Sequence, residues 1–464
     1  MYFNSFQFFV FFALFLCGYF LSPRKGKSLL IFLGSLFFYA CWDFRFVSLI
    51  LFSTVVDYVV GLRLHACSDP HNRKRWVSLS LVVNLGLLGI FKYYNFFIDS
   101  AVELLTDLGF HATAPGSLTI LLPVGISFYT FQTLSYTLDI YRKQLEPTRN
   151  FIDFGAFVTF FPQLVAGPIE RAAHLLPQIQ NPQRPTAAQL RNGTFLLAWG
   201  LFEKVVVADN LAFITDKGFA APASGPNTLL SLYSFAFQVF ADFDGYSNMA
   251  RGMAAIMGFS LFHNFNAPYF AASPSEFWKR WHITLSSWLR DYLYIPLGGN
   301  RKGPIRTRLN LMLTMVLGGL WHGAAWTYVL WGTLHGLLLM LWPRKAHPRK
   351  WWTGILVRIV FFHLVCLSYL FFRAEDLPMV LELLHSFGQG WSPLVNSDLC
   401  TIAVKIFAFS TPVILYQALQ YRSGQVDPAR AWPLPLRVGF YVILFYAIVL
   451  WGVNDAQSFL YFQF

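Results

Sequence analysis

The chain reads as a succession of apolar runs separated by short polar loops. Runs that approach the roughly 20 residues a bilayer core demands of a helix lie near 5–22, 28–42, 46–62, 76–91, 117–139, 192–212, 228–260, 310–321, 323–342, 353–372, 401–420 and 434–452. Two of these are too short to span alone. The first lacks a basic n-region and a small-residue cleavage site, so it reads as a retained helix rather than a secretion signal. Basic residues gather in alternate loops. Arg24, Lys25 and Lys27 follow the first run, Arg63, Arg73, Lys74 and Arg75 the third, and Arg142, Lys143 and Arg149 the fifth. The loop after the fourth run carries Asp99, Glu103 and Asp107 instead. By the positive-inside rule this phase puts the N-terminus outside. It continues with Arg344, Lys345, Arg349 and Lys350 inside, Glu375 and Asp376 outside, and Arg422 and Arg430 inside. The runs amount to about eleven or twelve spans, and a full dozen places the C-terminus outside as well.

Two stretches do not fit simple spans. Residues 151–170 are apolar, but Pro162 and Gly167-Pro168 interrupt them, with Arg149 and Arg171 on the flanks. This pattern predicts a re-entrant or broken segment, which persists at membrane depth only where protein or a cavity covers its backbone. Residues 263–309 contain Lys279, Arg280, Arg290, Arg301, Lys302, Arg306 and Arg308. Ser273-Pro274-Ser275-Glu276 is a capping box with proline at the first helical position. It predicts a helix through Phe277, Trp278, Trp281, Leu285, Trp288 and Tyr292, with charges interleaved, lying in the interface. Pro296-Leu297-Gly298-Gly299-Asn300 then turns the chain.

Composition agrees. Charged residues make up 12% of the 464, apolar residues 56% and aromatics 19%, whereas a soluble domain carries about 25% charged residues. Disorder, coiled coil, collagen and small secreted scaffolds are excluded. The fold class is an all-α polytopic membrane protein, read as one membrane domain over 1–464, without a soluble domain or internal repeat. Five cysteines without a CxxC pair argue against a disulfide framework or zinc ribbon. The net charge of +12 is explained by the sidedness of the loops, so no nucleic-acid partner is implied; the basic loops suit an anionic cytoplasmic ligand such as a nucleotide-bearing thioester.

Ionisable groups inside apolar runs default to functional hypotheses. His322 lies in Gly318-Gly319-Leu320-Trp321-His322-Gly323, where missing side chains let a ligand or another backbone approach an imidazole suited to general base catalysis. A histidine bonded between helices is the alternative. His335 follows 13 residues later; in an unbroken helix it stands about 20 Å away on nearly the opposite face, unless Gly323 breaks the helix. Gly332 and Gly336 form a small-xxx-small pair, which favours helix packing for this neighbourhood. His282 reads as a wetted surface histidine. Asp242 and Asp244 lie inside the 228–260 run and do not face each other on a helix; they hold a coupling ion, bond to backbone, or mark a break at Gly245. GxSxG, GxxxxGK[ST], HExxH and GxGxxG motifs are missing, so a serine hydrolase, a P-loop ATPase and a zincin lose their usual sequence support.

PSEFWKRWHITLSSWLRDYLYIPLGGNRKG (274–303) and LTMVLGGLWHGAAWTYVLWGTLHG (313–336), with LLPVGISFYTFQTLSYTLDIYR (121–142) and NFIDFGAFVTFFPQLVAGPIER (150–171), resemble the membrane-bound O-acyltransferase (MBOAT) family, in its bacterial alginate O-acetylase-like branch. RDYLYIPLGGNR looks more like the polysaccharide acetylases than the D-alanine-transferring branch. The resemblance covers about residues 1–375, with a family core near 120–375. It implies a ring of tilted helices with re-entrant and interfacial helices around a central tunnel. It makes His322 the catalytic histidine of the WHG motif and His282 the second active-site position, and it assigns Arg280, Trp281, Asp291, Asp242 and His335 to substrate binding. It further implies an inner-membrane O-acetyltransferase. Acetyl-CoA would be the donor, with no bound cofactor or metal. Partners would be a periplasmic SGNH-type acetyltransferase, a polysaccharide synthesis complex and membrane lipid, the acceptor being an exopolysaccharide such as alginate or cellulose. D-alanyl or other acyl transfer to a cell-envelope polymer, a transporter or flippase with Asp242 and Asp244 as coupling carboxylates, and a non-catalytic scaffold are the alternatives. One departure stands out: the relatives' DFSGYSD pattern is here Asp242-Phe243-Asp244-Gly245-Tyr246-Ser247-Asn248.

Overall fold

The computed structural model describes residues 1–110, 121–220, 222, 224–343, 351–391, 397–453 and 459–460. Among them every regular element is helical. Five segments are long and apolar enough to cross a membrane: Arg24–Ala66, Pro70–Asp107, Trp352–Arg373, Ser397–Ser423 and Leu434–Trp451. Phe6–Leu21, Trp326–Leu341 and Leu377–Ser386 are shorter apolar helices. The protein is therefore an all-α, multi-pass membrane protein. The basic cluster Arg344, Lys345, Arg349 and Lys350 lies outside the described residues. The chain packs as two compact units, residues 1–191 with 253–262, and 192–252 with 263–464.

The first unit contains α1 (Phe6–Leu21), α2 (Lys27–Asp43), α3 (Val47–Ala66), α4 (Pro70–Leu88), α5 (Tyr94–Asp107), α6 (Ile126–Tyr141), α7 (Phe151–Thr159), α8 (Phe161–Leu164) and α9 (Ala172–Gln180), and the start of α10 (Ala187–Phe202). Helix α1 shows the membrane signature, an apolar sequence on every face. Phe8, Phe12, Phe15 and Tyr19 turn inward, while Phe6, Leu14 and Leu21 are exposed. The broken segment is real. The helix stops at Phe160, restarts with Pro162 in the first turn of α8, and residues 154–170 are buried without interruption. Protein supplies the bonds that the break removes: Ser35 Oγ accepts the Phe161 N–H at 3.1 Å, and Gln132 donates to the Phe157 carbonyl at 2.7 Å. The Phe161 ring then packs against Phe11, Phe15 and Phe38 at 5.0–5.8 Å. Arg73 is buried because it closes two helix ends, donating to the carbonyls of Leu64 in α3 and of Ile140 and Tyr141 at the end of α6.

The second unit continues with α11 (Asp209–Ala220), α12 (Gly225–Ile256), α13 (Pro274–Trp278), α14 (Ile283–Leu289), α15 (Gly303–His322), α16 (Trp326–Leu341), α17 (Trp351–Arg373), α18 (Leu377–Ser386), α19 (Ser397–Ser423) and α20 (Leu434–Trp451). Helix α12 is its core, buried throughout 234–250 and unbroken at Gly245. The capping box works as read at its first residue, Ser273 Oγ accepting the Glu276 N–H at 3.2 Å. The helix it starts is nevertheless short. Instead of reaching Tyr292 it ends at Trp278, and α14 begins only after His282, with a π-helical turn over Arg290–Tyr294. Loop 264–266 causes the break by taking over the backbone: Arg280 O accepts from Asn266 N at 3.0 Å and Asn264 O from Ile283 N at 2.9 Å.

Helices α15 and α16 form a hairpin whose reversal at Gly323 settles the condition left open by the sequence. The hairpin closes on small residues. A side chain at Gly319 would meet the Tyr328 carbonyl and, at 3.1 Å, the Cα of Gly332. Gly319→Ala should therefore destabilise the purified protein by about 1–3 kcal/mol, seen as a lower unfolding temperature in detergent. Gly439→Ala, where a Cβ meets nothing within 4 Å, should leave it unchanged or slightly raised.

Candidate active site

The hairpin brings two histidines around one indole, and the broken helix sets a third, His282, beside His322. α15 ends at His322 because Gly323 is extended, with φ −155° and ψ 150°. The chain then folds back, so that Trp331 stands between His322 and His335, its ring centroid 5.2 Å from one and 4.7 Å from the other. His282 occupies the gap between α13 and α14 in the left-handed region, at φ 42° and ψ 54°. Such a conformation costs a non-glycine residue about 1–3 kcal/mol and persists only where the surroundings impose it. Here the bonds from loop 264–266 impose it, and Thr284 Oγ1 donates to Asn264 Oδ1 at 2.6 Å just beyond. Far from a wetted surface residue, His282 is fully buried. Its ring lies 6.3 Å from that of His322, beyond direct hydrogen-bond reach.

A cavity of about 350 Å³ opens beside this cluster, within the usual size of small-molecule sites. His322 and Trp331 line it, together with Gly318, Met315, Leu285 and Trp278, and Lys279, Arg290 and Tyr294 supply its polar part. It thus joins an imidazole to two cations across an apolar wall. Gly318 alone of the glycines around His322 faces this space; Gly319 and Gly323 are taken up by the hairpin itself. The indole N–H groups of Trp278 and Trp331 are buried and find no acceptor among the described residues.

The remaining residues assigned to substrate binding divide differently. His335 does not line the cavity. It is buried, shares a 3.1 Å hydrogen bond with Ser368 of α17 and stacks on Phe277 at 6.1 Å. Trp281 is buried among Phe265, Tyr269 and Phe277 at 5.0–5.9 Å. Arg280 pairs with Glu276 at 3.0 Å and donates to the Asn266 carbonyl. Asp291 accepts from its neighbour Arg290 at 2.7 Å and does not reach the cavity, whereas Arg290 does. Asp242 lies elsewhere in the unit: Lys204 Nζ sits 2.7 Å from it and 2.8 Å from Asp209, and the Leu460 N–H donates to its other oxygen at 2.7 Å. It is thus engaged inside the protein, sharing one lysine with Asp209. Among the described residues no three His, Cys, Asp or Glu side chains converge where they could hold a metal ion.

A family model described as MBOAT, membrane-bound O-acyltransferase family, matches residues 143–346. The chain is 43% identical over 429 residues to the probable alginate O-acetylase AlgI of Pseudomonas aeruginosa, covering 89% of this chain and 80% of that protein. It is 38% identical over 488 residues to the protein of the same description from Pseudomonas putida, covering 98% of each. To the peptidoglycan O-acetyltransferase of Helicobacter pylori it is 35% identical, covering 84% of this chain and 80% of that one. The chain belongs to the membrane-bound O-acyltransferase family. It is an acyltransferase, which displaces the transporter and scaffold alternatives.

Within this acyltransferase the departure at Asp244 and Asn248 has a structural reason. The two lie one turn apart on α12 and both face the buried Glu203 of the π-helical turn after α10: Glu203 is hydrogen-bonded to Asp244 and accepts from Asn248 Nδ2 at 3.0 Å. Asn248 Oδ1 accepts from Arg251 at 3.1 Å, and Arg251 pairs with Asp427 at 2.8 Å. Positions 244 and 248 therefore address the same buried carboxyl. Glu203, Lys204 and Asp209 carry the signal that singled out Asp242, charge inside an apolar run, and sequence reasoning passed over them. It also left Trp331, Lys279 and Arg290 out of the site, because only the hairpin and the break bring them to His322.

Removing Lys204 leaves two buried carboxylates without their cation. Lys204→Met should cost about 3–5 kcal/mol, measured as thermal unfolding in detergent, and adding Asp242→Asn should recover part of the loss.

Proposed function

We propose that this acyltransferase is an O-acetyltransferase of the bacterial inner membrane, with its N-terminus periplasmic, that passes acetyl groups from cytoplasmic acetyl-CoA to an exopolysaccharide of the alginate type. The observation that carries the reading is the placement of His322 on the wall of a cavity that also presents Lys279 and Arg290. Two cations and an apolar slot suit an acyl thioester whose far end bears phosphates.

In the reaction, His322 takes the proton of the acceptor hydroxyl as general base. The hydroxyl oxygen bonds to the acetyl carbon, the carbon–sulfur bond breaks, and the departing thiolate takes the proton back from the imidazolium. His282 is buried, its ring 6.3 Å from that of His322, and does not line the cavity, so its part in orienting the thioester or donating to the oxygen that gains charge requires the break between α13 and α14 to shift. The apolar walls formed by Met315, Leu285 and Trp331 limit hydrolysis of the thioester. The acceptor hydroxyl enters through the tunnel of the family fold from the periplasmic side, on the polymer or on an SGNH-type acetyltransferase that completes the transfer within the synthesis complex. The similarity to alginate O-acetylases favours alginate. The similarity to a peptidoglycan O-acetyltransferase makes a cell-wall glycan the second reading, ahead of D-alanyl transfer.

Labelled acetyl-CoA supplied to the purified protein in nanodiscs, with a periplasmic partner and polymer present, tests this directly. His322→Ala, with the protein still inserted and abundant, should lower transfer by about 10²–10⁴-fold; near-normal product rejects the assignment. Lys279→Gln and Arg290→Gln should each raise KM for acetyl-CoA by about fivefold, as expected for one exposed charge contact, with kcat little changed.

A further inference from the structure

A second cavity of the same unit, about 520 Å³, is lined mainly by α17 and α19 and shares no residue with the cavity of His322. Its apolar part is built from Phe237, Ile359, Phe362 and Ile414, and Ile355 and Ile359 on its rim are about half exposed on a helix long and apolar enough to cross the membrane. It is therefore a groove open toward lipid.

One cation stands in it. Arg358 donates to the Gly354 and Phe270 carbonyls at 2.9 and 3.2 Å and to the Tyr421 hydroxyl at 2.6 Å. None of these partners carries charge, and among the described residues no carboxylate pairs with it. A second guanidinium adds to the local excess: Arg280 and Arg358 lie 5.2 and 5.3 Å from the same Tyr421 ring, and only Arg280 has its own acid, Glu276. An independent sign comes from Gln417, which lines the groove and is 1% exposed. Its carbonyl oxygen accepts from Tyr269 N at 3.3 Å, while its amide nitrogen has no acceptor among the described residues. An unbalanced cation and an idle buried donor in an apolar groove call for an amphiphile with an anionic, oxygen-rich head.

We propose that this groove binds an anionic phospholipid from the surrounding leaflet. The phosphate accepts from the N–H groups that Arg358 keeps beyond its three bonds and from the Gln417 amide, and one acyl chain lies along Phe237, Ile359 and Phe362. A free anion fits less well, because it leaves the apolar length of the groove unfilled. The site is independent of the acyl-transfer reading.

Native mass spectrometry of the purified full-length protein in detergent, titrated with phosphatidylglycerol or with phosphatidylcholine of identical chains, tests the assignment. The protein should retain one phosphatidylglycerol at about fivefold lower concentration than phosphatidylcholine, the worth of one cation at an anionic headgroup. Arg358→Gln should erase that preference, and Arg358→Lys should keep part of it. Ile414→Trp, which fills the groove without touching the cation, should reduce retention of both lipids. Equal retention of the two lipids by the unaltered protein overturns the proposal, and so does an unchanged preference in Arg358→Gln. Displacement of phosphatidylglycerol by millimolar inorganic phosphate reassigns the site to a soluble anion.

Discussion

A backbone amide that leaves its helix inside an apolar interior must find another acceptor or donor, and this requirement decides where the chain is allowed to break. At Phe160 the partner is a serine hydroxyl from α2. Around His282 it is the extended loop 264–266, which takes up the amide and carbonyl groups that a continuous helix would have used itself. Because that loop is there, an imidazole is held in a left-handed backbone conformation opposite the end of α15. The reversal at Gly323 supplies the other half. Two interruptions of helix, each satisfied locally, produce the only neighbourhood among the described residues where His282 and His322 meet.

Charge in the second unit falls into two kinds. Lys204, shared by Asp209 and Asp242, and Arg251, held by Asn248 and Asp427, are cations engaged by partners within the protein. Such groups hold helices in register, and their loss is felt as instability. Lys279 and Arg358 border cavities and have no acid facing them among the described residues. Asp242 and Lys279 look equally conspicuous in the sequence, yet only the second has charge left over for a ligand.

This contrast explains what was legible. The apolar runs, the interruption at Pro162 and the helix start at Ser273 are local features, written in adjacent residues, and they appear where the spacing places them. Position 322 was legible through its glycines and its motif. The premature end of α13 was not, because residues 264–266 impose it from outside the segment. The resemblance made Trp281 a substrate contact, but its ring packs among Phe265, Tyr269 and Phe277. His335 could be judged only once the fold of the hairpin was known, and Gly319 facing Gly332 decides that fold.

The clasp of glycines has a kinetic meaning. With backbone against backbone between α15 and α16, neither helix can slide or rotate relative to the other without a collision, so His322 and Trp331 form a fixed wall. Any widening of the passage beside them has to come from the opposite bank, where two short helical pieces are joined by the strained residue 282. On the proposed function, a substrate too large for the passage displaces that jointed piece rather than the hairpin, and Lys279 and Arg290 belong to the displaced side.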